Sequence, residues 1–254
     1  MKNKIYLHGM VVLSLLFLAP VLHATNLVSN GSFETPDAAD CANGAAVCRN
    51  NGVDTTWVQG QNMGGWIIGA STVDLLNRFF ANAADGDQWV DLNGDYGPSG
   101  SIYQDISTIS GQKYLLQFSM TGEVVNGPQY GPNGDKTASV FWGSDLVDNI
   151  TLPVISCGTL YACGVGPITD PDTRPDTMVW QFFQYEVTAI SATTRLQFAD
   201  NMPWSTAHGM GLDNVSLTEI SSVPLPGAFW LMGLGVSGLA AIRRSPQRSV
   251  PPHA

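Results

Sequence analysis

Four cysteines fall into two local pairs, Cys41 with Cys48 around a Gly/Ala/Asn loop and Cys157 with Cys163 around another. Neither pair has the C-x-x-C spacing of a zinc site. Residues 25–222 hold a single histidine, His208, so two short-range disulfides in an oxidising compartment are favoured over zinc. His208 is also the one base there that could serve a serine nucleophile. Its neighbour Ser205 is flanked by Pro203 and Ala207, where a nucleophile elbow needs glycines. A glycosidase needs two carboxylates facing one cleft, and with 21 acidic residues spacing alone selects no pair. No catalytic residues are assigned, and the chain is expected not to be an enzyme. Asp91, Asn93 and Asp95 imitate the start of an EF-hand loop, but Tyr96 replaces the required glycine and Ile102 stands where the bidentate glutamate belongs, so they read as a polar turn. Sugar recognition needs ring faces beside hydrogen-bonding groups. The rings are Trp57, Trp66, Trp89, Tyr103, Tyr130 and Trp204. Trp66 and Trp89 sit within strand patterns and belong to the core, whereas Tyr130 and Trp204 lie in glycine- or proline-bearing loops and are the candidate ligand contacts.

These residues lie between two apolar ends. Lys2 and Lys4 precede an apolar run from Ile5 to Leu22, and Ala24 offers a small residue before Thr25, the layout of a signal peptide over 1–24. At the other end Val223-Pro224-Leu225-Pro226-Gly227 leads into an apolar segment over 228–242 that stops at Arg243-Arg244, with a cytoplasmic tail over 245–254. As a helix that segment spans about 22 Å, short of a hydrocarbon core of roughly 30 Å, and the paired arginines keep its end cytoplasmic. Proline motif, short apolar helix and arginines over 223–244 resemble the VPLPA variant of the PEP-CTERM sorting tail, although Gly227 stands where that variant has alanine. The resemblance implies an exosortase-type processing enzyme as partner and a transient membrane association; the alternative is an uncleaved single-span anchor.

Excluding both ends leaves the body, residues 25–222. Lys2, Lys4, Arg243, Arg244 and Arg248 lie outside it, so six basic residues face all 21 acidic ones, a net charge of −15. Such a surface argues against nucleic acid and anionic lipid, which demand clustered Lys and Arg. Along the body the pattern has period two. Over 114–120 the alternate residues Tyr114, Leu116, Phe118 and Met120 make one apolar face, and over 179–187 Val179, Phe183, Tyr185 and Val187 make another. Shorter strands are predicted over 65–68, 73–76, 88–92, 102–106, 138–142, 195–198 and 212–217, separated by turn formers such as Asn93-Gly94 and Ser110-Gly111. No sustained 3.6 period occurs. The prediction is an all-β domain, a two-sheet jelly-roll sandwich.

Several phrases occur together in order: residues 26–34 (Asn-Leu-Val-Ser-Asn-Gly-Ser-Phe-Glu), Gly65-Trp66, Ala84-Asp85-Gly86, residues 90–94 (Val-Asp-Leu-Asn-Gly), residues 100–104 (Gly-Ser-Ile-Tyr-Gln), and a closing run over 212–217 (Leu-Asp-Asn-Val-Ser-Leu). They resemble the exported choice-of-anchor C proteins, which are similar to the domain of unknown function 642 family found also in plant cell-wall proteins. The resemblance implies a galactose-binding-like jelly roll and a binding role at the bacterial cell surface or in the extracellular matrix, with polysaccharide as ligand; a passive envelope or biofilm protein is the alternative. In sugar-binding jelly rolls of this kind a Phe-Glu near the first strand and an Asp near the last often share a calcium ion. The resemblance thus makes Glu34 and Asp213 candidate ligands of a structural calcium clasping the two ends of the domain.

Overall fold

The computed structural model describes residues 25–42, 44–49, 52–94, 99–122, 124–126, 135–153, 155–157, 178–202 and 209–220. The predicted signal peptide over 1–24, the predicted sorting segment over 223–244, Tyr130, Trp204 and Cys163 lie outside the described residues, as does the side chain of Cys157.

Alternating apolar residues fold as alternation demands, and every regular element among the described residues is a strand. In chain order they are β1 (Val47–Arg49), β2 (Asp54–Val58), β3 (Asn62–Met63), β4 (Trp66–Ala70), β5 (Thr72–Asn77), β6 (Gln88–Asp91), β7 (Ser101–Ser107), β8 (Lys113–Gly122), β9 (Val124–Asn126), β10 (Lys136–Trp142), β11 (Asp145–Leu152), β12 (Ile155–Cys157), β13 (Gln181–Thr188), β14 (Thr193–Asp200) and β15 (Met210–Glu219). Seven form one antiparallel sheet in the order β1-β2-β5-β6-β15-β8-β13, and six form a second in the order β11-β10-β14-β7-β4-β3. A short parallel pair, β12 with β9, stands apart. The fold is an all-β sandwich of two antiparallel sheets.

The core lies between the sheets. Tyr114, Leu116, Phe118 and Met120 of β8 are fully buried and meet Val140, Leu196 and Phe198 of the other sheet in one apolar cluster. On β13 the inward residues are Phe183, Tyr185 and Val187, but Val179 precedes the strand and is 66% exposed, so the predicted face is shorter by one turn of alternation. Strands β5 and β6 are buried along their whole length because both faces are covered. Leu75 and Val90 face the main core. Leu76 and Trp89, one residue out of phase, face a second cluster with Ala81, Met178, Phe80 and Trp180.

Trp66 sets the position of the chain's N-terminal segment. Its ring packs against Phe33 and Phe198, and its Nε1 donates to the carbonyl of Asn30 at 3.0 Å. The turn it anchors lies on β15: Val215 N donates to Gly31 O at 2.8 Å, and a Cβ on Gly31 would stand 1.9 Å from Val215 O, so only glycine fits there. The first segment of the body and its last strand are therefore in direct contact. Cys41 and Cys48 form a disulfide across the next loop.

Candidate functional site

Glu34 follows directly on the turn that Trp66 and Gly31 hold. Its Oε1 accepts from the backbone N–H of Asp87 at 2.7 Å and of Gln88 at 2.9 Å. Asp213, on β15, accepts from the N–H of Ala84 at 2.8 Å and of Asp85 at 2.9 Å through Oδ2, and from that of Asn214 at 2.6 Å through Oδ1. The two carboxylates named in the sequence thus grip one loop, residues 84–88, on either side of Gly86. That glycine has φ of 70°, and a Cβ there would lie 2.3 Å from Glu34 Oε1. Asp213 pairs with Ser119 of β8, and a β-bulge follows it before Ser216 pairs with Gln117, with Asn214 at φ of 52°.

Gln88 fastens the other side of the loop. Its Oε1 accepts from Ala38 N at 2.5 Å, and its Nε2 donates to the carbonyls of Phe33 at 2.7 Å and Pro36 at 3.0 Å. The result is a loop whose backbone donors are met by the carboxyl oxygens of Glu34 and Asp213. Burial raises the Asp213 carboxyl to about 8 despite its three N–H donors, and the neighbouring charge of Asp85, of like sign, pushes the same way. A hard cation would relieve that repulsion, and two carboxylates are donors calcium accepts. No group of three or more His, Cys, Asp or Glu among the described residues is arranged to hold a metal.

Beside this loop opens a cleft of about 260 Å³ lined by Glu34, Asp37, Asn77, Arg78, Phe79, Asp87 and Gln88, with Ala39 at its edge. Asn77 closes the end of β5: its Oδ1 accepts from Phe79 N at 3.0 Å and its Nδ2 donates to Gly52 O at 3.0 Å. Arg78 Nη1 donates to Asp87 Oδ1 at 3.1 Å, with the two side chains 38% and 59% exposed. A half-buried ring, a guanidinium and carboxylates thus meet on one concave surface. Sequence reasoning missed Asn77, the last residue of β5, and Arg78 and Phe79 in the connection to β6, where no alternation marks them.

The rings named from sequence that are among the described residues fall elsewhere. Trp57, Trp66 and Trp89 are buried. Tyr103 lies on the outer face of β7 under the Arg195 guanidinium, 3.6 Å above its ring, and Arg195 is bidentate to Asp105 at 2.7 and 2.8 Å. That contact holds the Asp105 carboxyl below its usual range. Of the EF-hand imitation, Asp95 and Tyr96 lie outside the described residues; Asp91 Oδ1 accepts from Asn93 N at 2.8 Å and from Gly209 N at 2.9 Å, tying the end of β6 to the start of β15.

Residues 26–140 match the family model described as a protein of unknown function (DUF642). The matched stretch contains Glu34, the gripped loop and the whole lining of the cleft, and stops short of Asp213. The chain is similar to halomucin of Haloquadratum walsbyi, 27% identical over 198 residues that make up 77% of this chain and 2% of that protein's length. Among solved structures it is similar to TmCBM61 in complex with beta-1,4-galactotriose, at 15% identity, covering 77% of this chain and 99% of that one, with a TM-score of 0.38. It is also similar to a family 35 carbohydrate binding module from Clostridium thermocellum, at 11% identity, covering 65% of this chain and 90% of that one, with a TM-score of 0.32.

Proposed function

We propose that the body is a non-catalytic polysaccharide-binding module of the galactose-binding-like kind, exported to the bacterial surface or extracellular matrix. The cleft beside the 84–88 loop carries the proposal. The Phe79 ring offers an apolar face for the C–H side of a sugar, while Arg78, Asp87 and Asp37 present hydrogen-bonding groups for its hydroxyls. Excess carboxylate over guanidinium in the lining favours neutral glycans over uronates or sulfated chains, whose charge it would repel. The Cys41–Cys48 disulfide fits an oxidising compartment.

Calcium binding by Glu34 and Asp213 belongs to the same proposal, with the ion holding the N-terminal segment and β15 to the 84–88 loop. So does sorting, in which an exosortase-type enzyme acts at Val223-Pro224-Leu225-Pro226 after Arg243 and Arg244 have stopped transfer. Thermal unfolding of the full chain with calcium or EDTA, and then with a panel of soluble polysaccharides, tests the first two parts, since a ligand that binds only the native state raises the midpoint by mass action. Calcium is expected to raise it in wild type and not in Glu34→Ala. A neutral polysaccharide is expected to raise it further in wild type and not in Phe79→Ala. A midpoint unmoved by calcium removes the ion, and one unmoved by every glycan removes the binding role. For sorting, replacing Pro224 and Pro226 is expected to leave an uncut precursor in the producing cell; normal processing of that variant would contradict the tail's role.

A further inference from the structure

At the end of the sandwich where β10 begins and β14 ends, three polar side chains are buried between the sheets. Lys136 is 1% exposed, Asp200 2% and Asn93 0%. Lys136 and Asp200 sit on adjacent antiparallel strands, with Ala138 opposite Asp200, so they are diagonal neighbours on the inward face. Asn93 comes from the opposite sheet, two residues beyond β6, and its Nδ2 donates to Asp200 Oδ2 at 2.8 Å. Met202 N donates to the same oxygen at 3.0 Å, while Asp200 Oδ1 has no hydrogen-bond partner. The other lysine of the strands, Lys113, has a side chain 58% exposed in an ion pair with Glu186, which is the usual place for lysine.

We propose that Lys136 and Asn93 join in an autocatalytic isopeptide bond that staples the two sheets, with Asp200 carrying the protons. Diagonal neighbours lie roughly 7–8 Å apart, a gap that the four-carbon stem of lysine covers. The amide it would attack is held in place by Asp200. Burial raises the Asp200 carboxyl above its ordinary range, and the Lys136 charge opposes that rise, which places the two groups in each other's field. Asp200 accepts one proton from the Lys136 ammonium, and the freed amine attacks Cγ of Asn93. The Nζ–Cγ bond forms. Asp200 then donates its proton to Nδ2, the Cγ–Nδ2 bond breaks, and ammonia leaves. The second Nζ proton passes through Asp200 to the ammonia. One lysine ammonium and one primary amide become one secondary amide and one ammonium ion, with no oxidant or cofactor. The product replaces a buried cation and a buried primary amide by a neutral crosslink, removing the cost of keeping a charge out of water.

The test is a peptide map of the full-length protein, reduced, denatured and digested with trypsin. The wild-type map is expected to show no cleavage after Lys136 and a branched peptide joining the Lys136 and Asn93 segments, lighter by one ammonia than its two parts. Asp200→Asn is expected to restore cleavage after Lys136 and return both segments as separate peptides of unmodified mass. Cleavage after Lys136 in wild type, with Asn93 in a linear peptide as either asparagine or aspartate, overturns the proposal. A branched peptide that persists in Asp200→Asn overturns the role of Asp200. The wild-type map is read on unfolded protein, so it decides the crosslink even where a variant fails to fold.

Discussion

Stability should fall as pH rises through neutrality, because of one carboxyl. Asp213 is fully buried, and burial pushes it to about 8, whereas in the unfolded chain it titrates near its ordinary value of about 4. Between those values the folded state holds a proton that the unfolded state has released, so raising the pH favours unfolding. The contribution is full below about pH 4, is lost progressively up to about pH 8, and is flat above that. Four units at about 1.4 kcal/mol each make the loss on the order of 6 kcal/mol. Asp200, also raised by burial, adds to it in the same direction. Asp105, held low by Arg195, acts the opposite way and only in acid, outside this window. Urea unfolding in EDTA at intervals from pH 5 to 9 reads the effect as a midpoint that falls steadily and levels near pH 8. Asp213→Asn, which keeps an oxygen acceptor but has no proton to release, should remove the larger part of the slope. With calcium present the carboxylate stays ionised, and the wild-type slope should flatten as well. A wild-type midpoint that is level or rising from pH 5 to 8, or an Asp213→Asn variant with the full wild-type slope, would refute the reasoning.

Gly86→Ala should cost about 2 kcal/mol, part from its left-handed φ and part from displacing the Glu34 carboxylate. Gly60→Ala, at φ of 86° with nothing within 4 Å, isolates the first part, and equal denaturant midpoints for the two variants would count against the clasp. Replacing Cys41 and Cys48 together by serine should cost about 2–3 kcal/mol through the short loop they close, read by urea unfolding; a variant as stable as wild type would show that the disulfide constrains nothing. Arg195→Ala should cost under about 1 kcal/mol in the same assay, since its pairing with Asp105 is half exposed on the outer face; a larger loss would mean the pair braces the sheet.

The strands with a clean apolar alternation were legible in the residues alone. Strand β8 buries Tyr114, Leu116, Phe118 and Met120 as its pattern requires. Strand β11 was not legible, because Asp145, Asp148 and Asn149 interrupt its apolar positions on an edge where only Ile150 and Leu152 are buried. Strand β2 was missed for the reverse reason: Thr55, Thr56 and Trp57 are buried in succession, so no alternation survives. Glu34 and Asp213 were named from sequence as candidate calcium ligands, not as acceptors for the backbone of one loop. Glu34 and Asp213 meet backbone N–H groups of residues 84–88, and backbone donors leave no trace in residue type. The cleft was invisible too, since Arg78 lies in the connection between two strands and acquires its partner, Asp87, only when β5 pairs with β6.

The measurement that bears most directly on the central claim is an equilibrium titration of the purified full chain with soluble neutral oligosaccharides, followed by an assay for new reducing ends after prolonged incubation. Saturable binding that is lost in Phe79→Ala, with no new reducing ends, is the result expected of a non-catalytic module reading glycans in the cleft lined by Arg78, Phe79 and Asp87. Accumulating reducing ends would make the protein an enzyme, and binding unchanged in Phe79→Ala would move the site away from the cleft.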